Sequence, residues 1–461
     1  MMEGSLLGWK VLRREREADC EYVVRGIPEL SPEEEAVVLE LKGEFREGSR
    51  HVEVAAPEEV RALLLDSLRA ICMRDGITLD AEQEKYVADA AFLDVCGHGV
   101  LQPLLDEKAF EEIAVIGIGK PIYAYHRERG WLRTNCLFTR EDTAVEAINR
   151  MARPLGRRVT FRQPRLNAVL PGGSRLHASV PPISGVEMTI RRFRESPISI
   201  GDLLRTRTYP AEALAFLWLA VQSDISLIVA GNTASGKTST LNALFSFVPL
   251  GERVLLTEET PEINIPQEHL VKLLANPELG IGMAELVADS LRMRPDRVIV
   301  GEVRTREEAG ALFETILSGQ ARGSFATFHA QSGEEALARL RAMGIPAMDL
   351  RSLDLIIVQR RMARFTPSGA PAGEIRRCVE ICEVGPSGEA VRLFDYDYVA
   401  DSLRRVAGGR TLEKACRCFG ITQERLVVET ALRASFLAKL AKSKAGFSGC
   451  VSAVQEYRSK G

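Results

Sequence analysis

Residues 231–238 read GNTASGKT, a full match to G-x-x-x-x-G-K-[ST]. A string of that form suits the binding of a polyphosphate. Its glycines let backbone N–H groups turn inward around the phosphates, and the helix that follows adds the positive end of its dipole. The lysine supplies a mobile cation, and the threonine hydroxyl is a hard oxygen suited to Mg²⁺. Residue by residue, Gly231, Asn232, Thr233, Ala234, Ser235 and Gly236 would form the cradle and Lys237 the cation. Thr238 would face the metal, and Thr240, further along the same helix, is counted with the nucleotide-binding set. The context agrees, because the apolar run SLIVA precedes the glycines and Leu241, Leu244, Phe245 and Val248 share one helical face after them.

Hydrolysis of the bound nucleotide needs carboxylates. RMRPDRVIVGEVR, 292–304, sets the apolar run Val298-Ile299-Val300 before a glycine and Glu302. In P-loop proteins a second strand of the same sheet ends in an acidic residue that organises the metal or the attacking water, and Glu302 fits that place as a second metal-side residue beside Thr238. Glu258-Glu259 follows the apolar VLLT and precedes Pro261, which also puts it at the C-terminal edge of a sheet. Glu258 is the catalytic candidate of the two, and Glu259 reads as a solvated charge. In GSFATFHA, 323–330, Phe325, Thr327 and His329 share one face of a strand. A lone histidine there is ordinarily a satisfied core residue, and only its company makes His329 a catalytic candidate.

The elements that must position these residues alternate: helix (211–222), strand (225–230), glycine loop, helix (237–248), strand (253–257). Short connections between them imply a parallel sheet covered by helices, an α/β fold. Upstream, 57–96 carries apolar spacing for two amphipathic helices, and 113–134 alternates as a strand pair around Gly-Lys-Pro. A helix over 140–151 follows, then LNAVLPGGSRLHASVPP, two strands joined by a Pro-Gly-Gly-Ser turn. The expected division is a charged N-terminal appendage with a helical segment (1–100), a small α/β domain (101–194), a linker (195–206), the P-loop domain (207–405) and a C-terminal helical segment (406–461).

Composition narrows the function. At 461 residues with 46% hydrophobic content the chain can form two or three cores. Sixty Lys+Arg against 63 Asp+Glu leave a net charge of -3, which is not the basic excess of a dedicated nucleic-acid binder, so no direct nucleic-acid partner is expected. No apolar stretch is long enough for a membrane span and the N-terminus lacks a signal-peptide core, so a cytoplasmic location is expected. Cys378-x3-Cys382 with Cys416-x-Cys418 is poor zinc spacing, and the first two read better as one face of a strand.

Taken together, GNTASGKT, TEETPEI, LRMRPDRVIVGEVR and SGQARGSFATFHA, in this order, resemble the type II/type IV secretion ATPase superfamily, and RMRPD-VGEVR and ATFHA resemble its archaeal branch. The resemblance implies a RecA-like P-loop NTPase domain behind a smaller α/β domain. It makes 231–238 the Walker A motif, Glu258 the acidic residue of the Asp box, Glu302 the Walker B glutamate and His329 the histidine of the His box. It also matches RLNAVLPGGSRLHASVPPISGVEMTIRRF to a domain whose arginines reach the nucleotide, here Arg175 and Arg191 or Arg192. Arginine-rich and without a matching acidic run, that segment suits a surface facing phosphates or a neighbour's acidic edge.

What the resemblance further implies is a homo-oligomeric ring, a hexamer, hydrolysing ATP with Mg²⁺. The motor would act at the inner face of the membrane on a polytopic platform protein, with pilin-like or secreted substrates as cargo, in pilus assembly, archaellum rotation or protein export. Glu259 stands where the family usually has aspartate, and Gln320-Ala321-Arg322 stands where many members have a second histidine, so Arg322, as a phosphate sensor, or Gln320 is considered as its replacement. The four-cysteine zinc module of some members is absent. A ring ATPase that translocates nucleic acid and a nucleotide-bound scaffold that does not hydrolyse are the alternatives.

Overall fold

The computed structural model describes residues 7–11, 21–24, 30–48, 57–192, 196–276 and 279–459. The chain divides into two compact units, 1–193 and 194–461. Each has its own core.

In the first unit, among the described residues, seven strands form one sheet: β1 (Trp9–Val11), β2 (Phe110–Val115), β3 (Pro121–His126), β4 (Gly130–Phe138), β5 (Arg165–Val169), β6 (Arg175–Ser179) and β7 (Glu187–Arg191). Their order is β1-β4-β3-β2-β7-β6-β5, every neighbour antiparallel. The expected strand pair over 113–134 is three strands, because the chain reverses a second time at Gly130, whose φ of 76° is left-handed. Helices Pro57–Asp75 and Ala81–Val95 lie where the apolar spacing places them.

The N-terminal part differs from the expected appendage. Residues Pro32–Gly48 are a helix, with proline in its first turn beside Glu33, Glu34 and Glu35, where both proline and acids are favoured. Val38 and Leu41 of that helix, Leu64 and Leu68 of the next, and Val87 of the third are fully buried in one cluster with Ile113 and Ile190 of the sheet. Three amphipathic helices need an apolar partner, and the sheet provides it.

The second unit holds a nine-stranded sheet among the described residues: β8 (Leu227–Gly231), β9 (Val254–Glu258), β10 (Leu270–Leu274), β11 (Arg297–Val303), β12 (Gly323–Phe328), β13 (Leu355–Phe365), β14 (Pro371–Val384), β15 (Ala390–Asp397) and β16 (Ser402–Arg405). The order is β10-β9-β11-β12-β8-β13-β14-β15-β16. The six strands from β10 to β13 are parallel, and the last three continue antiparallel. Parallel strands carry helices on both faces, which is why β8, β9 and β12 are buried throughout. Helices Gln423–Lys442 and Phe447–Ser459 place Leu437, Leu440, Cys450 and Val454 in the same core.

The expected linker also acquires structure. Ser199 and Asp202 form a capping box for the helix Ile200–Arg205, and Ile200 and Leu203 are buried in the second core. Residues 193–195, which include Glu195 at the start of that linker, lie outside the described residues. Cys378 and Cys382 are both buried on β14, and no group of three or more His, Cys, Asp or Glu placed to hold a metal occurs among the described residues.

The arginines around β11 serve two edges. Arg297, at the N-terminal end, is fully buried and pairs with Glu252 at 2.7 Å. Arg322 pairs with Asp224 at 3.0 Å and with the other oxygen of Glu252 at 2.9 Å. Both arginines therefore sit at the N-terminal ends of β11 and β12, a strand's length, roughly 15–20 Å, from the glycine loop at the other edge. This overturns the phosphate-sensing reading of Arg322. With Arg297 it shares the buried Glu252 carboxylate, one arginine on each oxygen.

Glu252→Leu is therefore expected to lower unfolding free energy by roughly 3–5 kcal/mol, since Arg297 would remain buried and unpaired. Denaturant titration should show most of that loss recovered in Glu252→Leu/Arg297→Met. A single variant as stable as the parent would show that the pair does not hold this edge.

Candidate functional site

The site grows from the C-terminal ends of β8, β9 and β11. β8 ends at Gly231, and a side chain there would bring Cβ within 2.1 Å of the Gln359 carbonyl on β13, so only glycine fits. The loop then turns through left-handed backbone at Ala234 (φ 59°) and Gly236 (φ 96°) before the helix Lys237–Leu244 begins. Such a turn aims successive N–H groups at one point, a nest for an anion. It is held from outside: Asn232 Nδ2 donates to the Arg361 carbonyl at 3.1 Å, the Arg361 N–H donates to Asn232 Oδ1 at 3.0 Å, and Arg376 Nε donates to the Ala234 carbonyl at 2.9 Å.

Within the cradle the side chains separate by role. Lys237, 8% exposed, donates through Nζ to the Gly231 and Asn232 carbonyls at 3.2 and 3.3 Å, so its cation lies along the loop. Thr233 is exposed, and the buried Ser235 hydroxyl has no hydrogen-bond partner among the described residues. Thr240 does not join the set. Its fully buried hydroxyl donates to Gln359 Oε1 at 2.6 Å, because the helix turns that position toward β13.

Thr238 Oγ1 donates to Glu262 Oε2 at 3.0 Å. Glu262 is a carboxylate that sequence reasoning passed over, although TEETPEI places it four residues after Glu258. The reason is in the turn: Glu258 Oε1 accepts the N–H groups of Glu262 and Ile263 at 2.8 and 2.9 Å, folding the segment so that Glu262 meets the glycine-loop helix. Glu258 itself is 2% exposed, and its Oε2 has no partner among the described residues. Burial raises its pKa from 4.5 to about 7, against the opposing pull of those two N–H donors and Lys272.

Gly301 makes room for that carboxyl. A Cβ at Gly301 would lie 2.9 Å from Glu258 Cγ and 3.1 Å from the Thr257 carbonyl. Gly301→Ala must therefore move Glu258, and is expected to lower turnover tenfold to a hundredfold while nucleotide affinity stays within about twofold. Phosphate release measured beside fluorescent-nucleotide binding checks this. Equal losses in both would place the damage in the phosphate cradle instead.

Glu302 follows Gly301 where β11 departs from regular pairing with β12, between Val300 and Val303. That irregularity turns the carboxylate out of the sheet. His329 Nε2 lies 2.6 Å from Glu302 Oε1, and Arg304 Nε donates to Oε2 at 2.8 Å. Arg304 also donates to Glu259 Oε2 at 2.7 Å, so Glu259 is a paired rather than a lone surface charge. His329 and Arg304 thus fix Glu302 from both oxygens. The oxygens of Thr238, Glu262 and Glu302 are the hard donors Mg²⁺ prefers, and one or two carboxylates completed by phosphate and water is its usual setting, so the residues present fit that ion.

In the first unit Arg175 and Arg191 are register partners on β6 and β7. Like charges directly opposed across strands are unfavourable unless each has a partner of its own. On its other side Arg191 faces Glu112 of β2, whose pKa burial raises and Arg191 lowers. The guanidinium of Arg192 instead donates to the Glu107 carbonyl, which ties it to its own unit and leaves Arg191 as Arg175's companion.

Residues 97–448 match the family model for type II/IV secretion system proteins. The chain belongs to that family. An uncharacterized protein of Methanocaldococcus jannaschii is 37% identical over 225 residues, 45% of this chain, and the chain spans only 31% of that relative's length. The type IV secretion system protein PtlH of Bordetella pertussis is 30% identical over 306 residues, 57% of this chain and 90% of that relative. Among solved structures, the ATPase DotB of Legionella pneumophila is similar at 16% identity with a TM-score of 0.46, covering 81% of this chain and 96% of that one. The four motifs of the P-loop unit lie inside the family match. No helix among the described residues is long and apolar enough to cross a membrane.

Proposed function

We propose that this family member is an Mg²⁺-dependent ATPase that works as a homo-oligomeric ring, a hexamer, and drives assembly of pilus-like filaments or protein export through a polytopic membrane platform. One observation carries the catalytic part of the reading: Lys237, Thr238, Glu258, Glu262 and Glu302 stand at the C-terminal ends of β8, β9 and β11 or just beyond them, around the nest at 231–236.

In this mechanism the N–H groups of the loop and Lys237 hold the β- and γ-phosphates of ATP. Mg²⁺, when bound, neutralises phosphate charge. Thr238 and Glu302 would hold that ion, with Glu262 orienting the Thr238 hydroxyl. Glu258, with a pKa near neutrality, accepts the proton of the attacking water as its oxygen bonds to the γ-phosphorus and the bond from that phosphorus to the β–γ bridging oxygen breaks, releasing ADP and phosphate. Arg175 and Arg191, by the family resemblance, would supply guanidinium groups for stabilising phosphoryl charge. The name of PtlH, a type IV secretion system protein, supports a secretion role.

Phosphate release from MgATP across a range of protein concentrations tests this, with sedimentation velocity on the same samples. Specific activity should rise as the protein assembles. A flat specific activity with a monomer throughout would rule out the ring, and nucleotide binding without phosphate release at any concentration would leave a non-hydrolysing scaffold. Stimulation by DNA that falls steeply with salt would instead indicate a nucleic-acid translocase.

A further inference from the structure

The 40 residues from 147 to 186 contain seven arginines, no lysine and no aspartate or glutamate, in a chain whose net charge is -3. Two of the arginines are structural: Arg150 donates to the Asp94 and Gly97 carbonyls, and Arg157 donates to the Asn167 carbonyl at 2.7 Å. Arg175 opposes Arg191 across β6 and β7. The other four, Arg153, Arg158, Arg162 and Arg165, are exposed, and none forms an ion pair among the described residues. All four flank a single projection.

That projection is a built hairpin. Thr160 N–H donates to the Gln163 carbonyl and Gln163 N–H to the Thr160 carbonyl, both at 3.0 Å, so Phe161 and Arg162 form a two-residue tip. Its base is clamped by Asn149, whose Oδ1 accepts the Val159 N–H at 2.7 Å and whose Nδ2 donates to the Val159 carbonyl at 3.3 Å. Val159 is buried beneath. The tip aromatic is thereby held out in water, with Phe161 76% exposed and Leu155 another exposed apolar side chain on the same segment. Holding a phenylalanine there costs hydration free energy unless a partner takes it up.

We propose that this hairpin, with Arg153, Arg158, Arg162 and Arg165, is a peripheral docking surface for an anionic phospholipid bilayer, with Phe161 entering the headgroup region. Unpaired cations around an apolar wedge are the two signals that together give stable interfacial binding, where either alone is marginal. Arginine pairs bidentately with phosphate, and the net absence of acid between 147 and 186 leaves nothing to repel it. Single-stranded nucleic acid fits less well. It needs several aromatic platforms along a groove, and Phe161 is the sole Phe, Tyr or Trp in the segment, at a convex tip. The inference does not depend on the nucleotide site.

The test is flotation of the full chain with vesicles of phosphatidylcholine alone or with 30 mol% phosphatidylglycerol, roughly the anionic share that gives a substantial surface potential. The chain should partition at least tenfold more strongly onto the anionic vesicles. Each arginine near such a surface is worth about a factor of five, so Arg158→Ala/Arg162→Ala should reduce partitioning about twentyfold and Phe161→Ser about fivefold. All are exposed, so circular dichroism and thermal melting should match the parent. Phe161→Trp should add a blue-shifted emission with anionic vesicles relative to the parent spectrum. Equal binding to both vesicles, no binding to either, or partitioning that the variants leave unchanged would overturn the proposal. Tighter binding of a single-stranded oligonucleotide or of polyglutamate through the same arginines would overturn it in favour of those partners.

Discussion

Replacing Lys237 with alanine is expected to reduce phosphate release from MgATP by at least a hundredfold while leaving the protein folded. Its Nζ already lies along the loop, on the Gly231 and Asn232 carbonyls at 3.2 and 3.3 Å, and the side chain is 8% exposed. Transfer of a γ-phosphoryl group proceeds almost entirely by positioning and electrostatic stabilisation, and loss of one preorganised donor at a developing oxyanion costs about a hundredfold to a thousandfold. Lys237→Arg should recover little, because a planar fork cannot follow a migrating phosphoryl charge as a compact ammonium does. Turnover measured with fluorescent-nucleotide affinity separates binding from chemistry. A Lys237→Ala protein that kept more than a tenth of its turnover would remove the P-loop from the catalytic account.

The parallel half of the second unit was open to reading because its signals are local. A strand, a glycine loop and a helix in series cannot satisfy their apolar faces in many ways, and β8 through Lys237–Leu244 forms where the pattern places it. The same locality made Glu258 and Glu302 visible as acids following apolar runs. Nothing local identifies Arg376 or Gln359, which come to the loop only because β13 and β14 continue the sheet beyond β8. Arg322 failed for the converse reason: it is near His329 in sequence, yet a strand lies between them and carries the two to opposite edges. In the first unit the third strand and the helix Pro32–Gly48 depended on a left-handed glycine and on burial against a sheet whose strands, β1 apart, begin more than 60 residues later, neither of which periodicity reports.

The carboxyl of Glu258 is where stability and activity should move in opposite directions. Its pKa is raised from 4.5 to about 7 because it is buried, so the folded protein holds a proton that the unfolded chain gives up. Below pH 4.5 the group is protonated in both states and costs nothing. Between 4.5 and about 7 the unfolded chain ionises first, stability falls, and above that range the folded state carries a penalty of roughly 3 kcal/mol. Glu258→Gln keeps an oxygen for the N–H groups of Glu262 and Ile263 but cannot ionise. Its gain in melting temperature over the parent should therefore be larger at pH 8 than at pH 5, with the change centred between those pKa values. Turnover should fall at least a hundredfold, since a general base contributes about that much and glutamine cannot take the proton. Parent turnover should rise with pH through about 7. A gain in melting temperature that ignores pH would show that Glu258 is not ionising in this range. If Glu258→Gln retains turnover while Glu262→Gln abolishes it, the proton passes instead to the carboxylate beside Thr238, and Glu258 serves to hold the turn that puts it there.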